Sequence, residues 1–170
     1  MMFSSCFYAT PKWVESNSQN RQPRLEEFKF SKKAFRYNSI IDTSIIYLCQ
    51  DKFIFNNGID EKKFFSYIRF SSNGTAYLST WFERKPNPTV LGEMVEGQFC
   101  LYKIESNNIA LELYNHSLGY FEFWHGKIDE NGDLFFYQYK GRPWTTAKGQ
   151  LQLFYKKEEI KVKNNLVFPK

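Results

Sequence analysis

The sequence predicts an all-β chain: a single antiparallel up-and-down barrel of about eight strands behind a short N-terminal arm or helix. Three observations predict it. Aromatic side chains make up 19% of the 170 residues, with 18 Phe and 11 Tyr, and such rings suit a pleated, half-buried surface. From about residue 40 onward, apolar and polar residues alternate with a period of two almost to the end. Turn signals recur at short intervals, so nearly every connection reads as a hairpin or a short loop. The length suits one domain with a proper core and is short for two. The chain divides into an arm or linker, residues 1–38, and a barrel domain, residues 39–170.

The elements follow in order. Residues 9–24, ATPKWVESNSQNRQPR, are polar with two prolines and read as a linker. Over 25–38, Leu25, Phe28 and Phe35 recur at rough helical spacing, which fits a short helix or an irregular cover. A first strand spans 44–55. FFSYIRFSSNGTAYLSTWF (64–82) is a hairpin turning at Asn73-Gly74, since a type I′ turn needs positive φ at both central positions. That turn pairs Phe70 with Tyr77, Ile68 with Ser79 and Ser66 with Trp81. The one longer connection is RKPNPTVLGEMVE (84–96).

GQFCLYKIESNNIALELYN (97–115) bends at Asn107-Asn108. Lys103 then faces Glu112, Ile104 faces Leu111 and Tyr102 faces Leu113, with Cys100, Tyr102, Ile104, Leu111 and Leu113 inside. YFEFWHGKIDENGDLFFYQYK (120–140) turns at Asn131-Gly132. This pairs Ile128 with Phe135, Gly126 with Tyr137 and Trp124 with Tyr139. Trp124 and His125 must point to opposite sides of the sheet. The inward face is that of Trp124, Tyr137 and Tyr139, with Gly126 leaving room for a ring or a ligand over the backbone. A last strand covers 150–157. Consecutive hairpins without a Greek-key crossover favour a barrel over a sandwich.

Charge and motifs narrow the function classes. The net charge is +5, but residues 1–38 hold seven basic groups against three acids, and the other 132 residues hold 16 against 15. A nucleic-acid platform carries its charge on the folded surface, so no nucleic-acid partner is expected. No apolar run approaches the roughly 18 residues of a membrane helix. His116 reads as a solvated turn residue and His125 as a hydrogen-bonded sheet residue; neither belongs to HExxH. GxSxG, P-loop and GxGxxG patterns do not occur, so neither a catalytic residue, a metal site nor a cofactor is expected. Glu122 shares the face of Trp124. Its preferred reading is a solvent-facing strand residue. An inward Glu122 would need a partner such as Arg69, Arg142 or a bound cation. GRPW (141–144) reads as a rim loop in which Arg142 and Trp144 close a barrel end or cap the core.

Two resemblances add expectations. Phe3 to Cys6 in MMFSSCF resembles the lipobox of bacterial lipoproteins, although no basic or long apolar segment lies upstream. One reading is a lipid anchor at Cys6, with the start internal to a longer reading frame and the protein in the cell envelope or periplasm. The other is an exposed free cysteine in a tail, with a cytoplasmic protein if the N-terminus is complete as given. Cys49 and Cys100 accordingly either pair in an oxidising compartment or remain buried free thiols. The polar arm, the eight meandering strands and the YIRFSSNGTAYLS hairpin (67–79) together resemble the lipocalin-like, or calycin, barrels of small bacterial lipoproteins over roughly residues 40–157. The glycine-x-tryptophan signature of true lipocalins is missing.

The resemblance implies a cup that holds one small ligand. The expected function is therefore a non-catalytic binding protein. Its interior or mouth, lined by Tyr102, Ile104, Leu111, Leu113, Trp124, Phe135, Tyr137 and Tyr139, would take a small hydrophobic or amphipathic ligand. The alternative is a filled barrel acting as a surface protein-interaction or structural module through loops 84–96 and 141–149.

Overall fold

Period-two alternation buries every second side chain, and a meander of such strands can shed its edges by closing on itself. The computed structural model describes residues 13–15, 21–49, 52–54, 61–82, 87–89, 97–116, 119–140 and 148–162. In the arm, β1 (Trp13–Glu15) and β2 (Arg21–Pro23) form a small antiparallel pair. Two single 3-10 turns follow, Leu25–Glu27 and Phe30–Lys32. The remaining strands are β3 (Ile46–Cys49), β4 (Lys52–Ile54), β5 (Glu61–Phe70), β6 (Thr75–Phe82), β7 (Gln98–Glu105), β8 (Asn108–Asn115), β9 (Tyr120–Ile128), β10 (Leu134–Lys140) and β11 (Lys148–Glu158).

Eight of them, β3 and β5 to β11, close into an antiparallel up-and-down barrel, with β3 bridging β11 and β5. The single strand expected over 44–55 is two short ones, β3 and β4, both paired with β5. Between 25 and 38 the irregular cover prevails over the helix; among the described residues no helix reaches seven residues.

The barrel's contents are rings set edge to face. Phe35 meets Tyr102 at 5.1 Å, Tyr102 meets Phe70 at 4.9 Å, and Phe70 meets Tyr47 at 5.3 Å. Along β9 to β11, Trp124 meets Phe136 at 5.9 Å and Phe136 meets Tyr155 at 5.8 Å. The three tyrosines of this core each find a polar partner, as a phenol buried among rings usually does. The Tyr102 hydroxyl donates to the Ser71 carbonyl at 2.7 Å, the Tyr47 hydroxyl accepts from the Asp42 amide at 3.0 Å, and those of Tyr155 and Ser66 lie 2.7 Å apart. Burial pushes the Tyr47 phenol up to about 12. Cys49 and Cys100 are both buried and are not paired with each other, and burial raises the pKa of the Cys100 thiol. Cys6 lies outside the described residues.

Register departs from the sequence expectation in each hairpin, for a reason found in its turn. Between β5 and β6 the loop runs from Ser71 to Gly74, closed by the Ser71 amide donating to the Thr75 carbonyl at 2.9 Å. The Asn73 side chain accepts from the Thr75 amide at 3.1 Å, and only Gly74 takes a positive φ. Phe70 therefore pairs with Ala76, Ile68 with Leu78 and Ser66 with Thr80. That one-residue slip exchanges the faces of β6: Ala76 and Leu78 join the core, and Tyr77 goes outside.

Between β7 and β8 the turn is Ser106-Asn107, with Ser106 at φ 55. Tyr102 meets Leu111, Ile104 meets Ile109, and Glu112 faces Leu101 rather than Lys103. A two-residue shift preserves the faces, so Cys100, Tyr102, Ile104, Leu111 and Leu113 point inward as expected.

Between β9 and β10 a loop from Asp129 to Asp133 is held by the Asp129 carboxylate, which accepts from the amides of Asn131 at 2.9 Å and Asp133 at 2.8 Å. Ile128 consequently pairs with Leu134, and Gly126 with Phe136. Phe136 occupies the room that Gly126 leaves: a Cβ there would sit 2.8 Å from its ring and 2.6 Å from the Phe135 carbonyl oxygen. An extra residue between Phe136 and Gln138 bulges the strand and restores the expected pairing of Trp124 with Tyr139. Phe135 and Tyr137, expected inside, thereby stand on the outer face, 40% and 38% exposed.

Candidate functional site

The arm makes the site. Phe28 is fully buried against the outside of the barrel, with its ring 5.3 Å from Phe99 and 4.9 Å from Phe121. Tyr77 and Leu101 complete that outer cluster. Phe30 lies beside Phe123 at 5.7 Å, and the Lys103 ammonium sits 4.7 Å over the Phe30 ring. In the middle stands Glu112, an outward residue of β8 with no exposed surface. Its two carboxylate oxygens accept the backbone amides of Lys29 and Phe30, each at 2.7 Å. Loss of water raises the Glu112 carboxyl above the usual range, and this outweighs the two amide bonds and the attraction of Lys29 and Lys103. Burying a carboxylate costs hydration that its hydrogen bonds and nearby cations must offset.

Beyond this clasp the arm crosses the barrel end at the β5–β6 and β7–β8 turns. Phe35 packs on Tyr102 and lies over Gly74, where a Cβ would come within 2.5 Å of the ring. Ile40 and Ile41 join the core behind it. Between arm and turns remains a cavity of about 750 Å³, lined by Leu25, Phe30, Ser31 and the stretch from Lys33 to Arg36 on one side, and by Asn73 to Thr75 and Leu101 to Glu105 on the other. Its walls are apolar at Leu25, Phe30, Phe35, Leu101 and Ile104 and charged at Lys33, Arg36, Lys103 and Glu105. The volume falls within the range of small-molecule sites.

The residues expected to hold a ligand separate into three groups. Tyr102 and Ile104 line this cavity. Leu111 and Leu113 are buried in the barrel core, with half-buried Trp124 packed against it. Phe135 and Tyr137 are on the outer face, their rings 6.3 Å apart. Tyr139 stands across from Trp124 in the backbone register, and its side chain lies outside the described set. Arg142, Trp144 and most of loops 84–96 and 141–149 are also outside the described residues.

Glu122 is not solvent-facing. It points inward, 9% exposed, accepting from the Asn115 side-chain amide at 2.7 Å and the Trp124 indole N–H at 3.4 Å. Arg69, one of its suggested partners, is on the other face, across from Tyr77. His125 points outward, opposite Gln138, and burial lowers its pKa, as it does that of His116 at the β8–β9 turn. Among the described residues no group of three or more His, Cys, Asp or Glu side chains is placed to hold a metal ion, and no helix is long and apolar enough to cross a membrane.

Sequence reasoning missed the cavity-lining arm residues Phe30, Lys33 and Arg36 and the Glu112 clasp. A legible trace did exist: basic residues alternate with Phe28, Phe30 and Phe35, as in a segment laid across a surface. Compared with known proteins, the chain matches no family model, no curated protein and no solved structure.

Proposed function

We propose that the protein is a non-catalytic binding protein whose small amphipathic ligand lies at the arm-covered mouth of the barrel. The observation that carries this reading is the cavity of about 750 Å³, with an apolar wall of Phe30, Phe35, Leu101 and Ile104 beside a charged rim. The barrel core beneath is occupied by Tyr102, Phe70, Tyr47 and Phe136, so the room for a ligand is between arm and barrel rather than among those rings. Two elements far apart in sequence form the site, and docking of the arm assembles it.

Isothermal titration calorimetry with ten-carbon amphiphiles of different head group tests the reading. Saturable, equimolar binding by the native chain that is abolished in Ile104→Trp, a substitution that fills the cavity, is the expected outcome. Binding that survives Ile104→Trp in a folded variant would place the ligand elsewhere. A second reading, a filled barrel acting through its surface, draws support from the exposed rings of Phe135, Tyr137 and Phe154.

A further inference from the structure

We infer that the ligand of the arm–barrel cavity is an anionic amphiphile, with its head group held by Lys33, Arg36 and Lys103. The inference rests on the reading of the cavity as a ligand site. These three cations line it together with one carboxylate, Glu105. They come from different elements. Lys33 and Arg36 belong to the arm, and Lys103 to β7. Apart from the arm each would be an ordinary solvated side chain; docking brings the three to one hollow, where like charges repel. An anion between them offsets that repulsion.

Glu105 balances one of these charges and leaves an excess of two cations along the lining. Among the described residues, none of the three forms an ion pair; the pair present in the arm joins Arg24 to Glu26 at 4.0 Å. Glu112 attracts Lys103 from the neighbouring strand, but both its oxygens are committed to the Lys29 and Phe30 amides. The Lys103 ammonium is held at the wall over the Phe30 ring. A chain lying along Phe30, Leu101 and Ile104 would therefore carry its head into the basic rim. There the planar fork of Arg36 can donate two parallel N–H bonds to the oxygens of a carboxylate or similar group.

The test is calorimetric titration of the full chain with decanoate, decanol and decyltrimethylammonium, all below their micelle-forming concentrations. Exposed charge pairs give roughly two- to five-fold each, so decanoate should bind about tenfold more tightly than decanol, and the cation most weakly. The decanoate preference should shrink at high salt. In Lys33→Gln/Arg36→Gln, whose substituted side chains are exposed, it should fall to the roughly two- to five-fold owed to Lys103 alone, read as the ratio of decanoate to decanol affinity in the same variant. Equal affinity for decanoate and decanol, or an unchanged preference in the double variant, overturns the head-group assignment and leaves the cavity reading standing. No binding of any probe overturns both. Co-sedimentation with phosphatidylglycerol vesicles without binding of free decanoate overturns the small-ligand assignment in favour of a membrane surface.

Discussion

The outer faces of β7–β9 and of β10–β11 carry similar side chains and meet different fates. On the first, Phe99, Leu101, Phe121 and Phe123 alternate with Lys103 and Glu112; on the second, Phe135, Tyr137 and Phe154 alternate with Lys140 and Lys156. Phe99 and Leu101 are 6% exposed beneath the arm, whereas Phe135 is 40% and Phe154 38% exposed. The charges differ in the same sense. Lys103 is set over the ring of Phe30 from the arm, while Lys156 lies 5.8 Å over the ring of Phe154 on its own strand. Aromatic content therefore does not decide which side of a strand is dry. A covering segment does, and here the cover also walls a cavity.

Three experiments bear on this contrast, from the largest effect to the smallest. Phe28→Ala removes the ring that anchors the arm and should cost about 3–5 kcal/mol, the range for a buried phenylalanine. Denaturant unfolding measures the loss, and limited proteolysis should cut the arm before the barrel. A loss within about 0.5 kcal/mol, ordinary for a surface position, would make the two faces equivalent and defeat the comparison.

Glu112→Gln presents an amide donor to one of two backbone N–H groups and should cost about 1–3 kcal/mol, the penalty for an orphaned buried donor. Its pH dependence has a definite sign. The folded-state pKa of Glu112 is raised above the ordinary 4.5, so the folded state holds its proton more tightly than the unfolded chain. Stability owed to this group is full below about pH 4.5 and falls as pH rises through the raised folded-state value. The stability difference between native protein and Glu112→Gln should consequently widen on acidification from neutral pH. A difference that narrows would show the amide bonds outweighing the lost hydration.

Phe135→Ser with Tyr137→Ser tests the bare face. Each change should shift stability by no more than about 0.5 kcal/mol, and ligand affinity should stay unchanged. A loss of several kcal/mol would mean that this face too is covered in solution.

Much of the barrel was legible. Alternation and turn residues are local, so strand number, the meander and the closed fold could be read directly. In β7–β8 the inward set Cys100, Tyr102, Ile104, Leu111 and Leu113 was right although the turn lay one residue earlier than expected, because moving a two-residue turn by one position shifts the pairing by two and preserves the faces. The same reasoning failed in β5–β6 and near the β9–β10 turn, where side-chain hydrogen bonds of Asn73 and Asp129 lengthened the loops and shifted the pairing by one. An Asn-Gly pair signals that the chain turns; it does not state how many residues the turn takes. Beyond the bulge at Tyr137 the two errors cancel, so the Trp124–Tyr139 pairing was read correctly for an incomplete reason.

The sequence by itself determined that the chain is an eight-stranded barrel with an aromatic interior, and that Trp124 and His125 face opposite ways, because period two is a property of neighbouring residues. Only the tertiary structure decided what covers the outside. The partners of Glu112 lie 82 and 83 residues away in the arm. Phe28 reaches Phe99 and Phe121 across comparable separations. Such contacts follow from where the closed barrel places its outer face relative to the arm, and no local pattern records that distance.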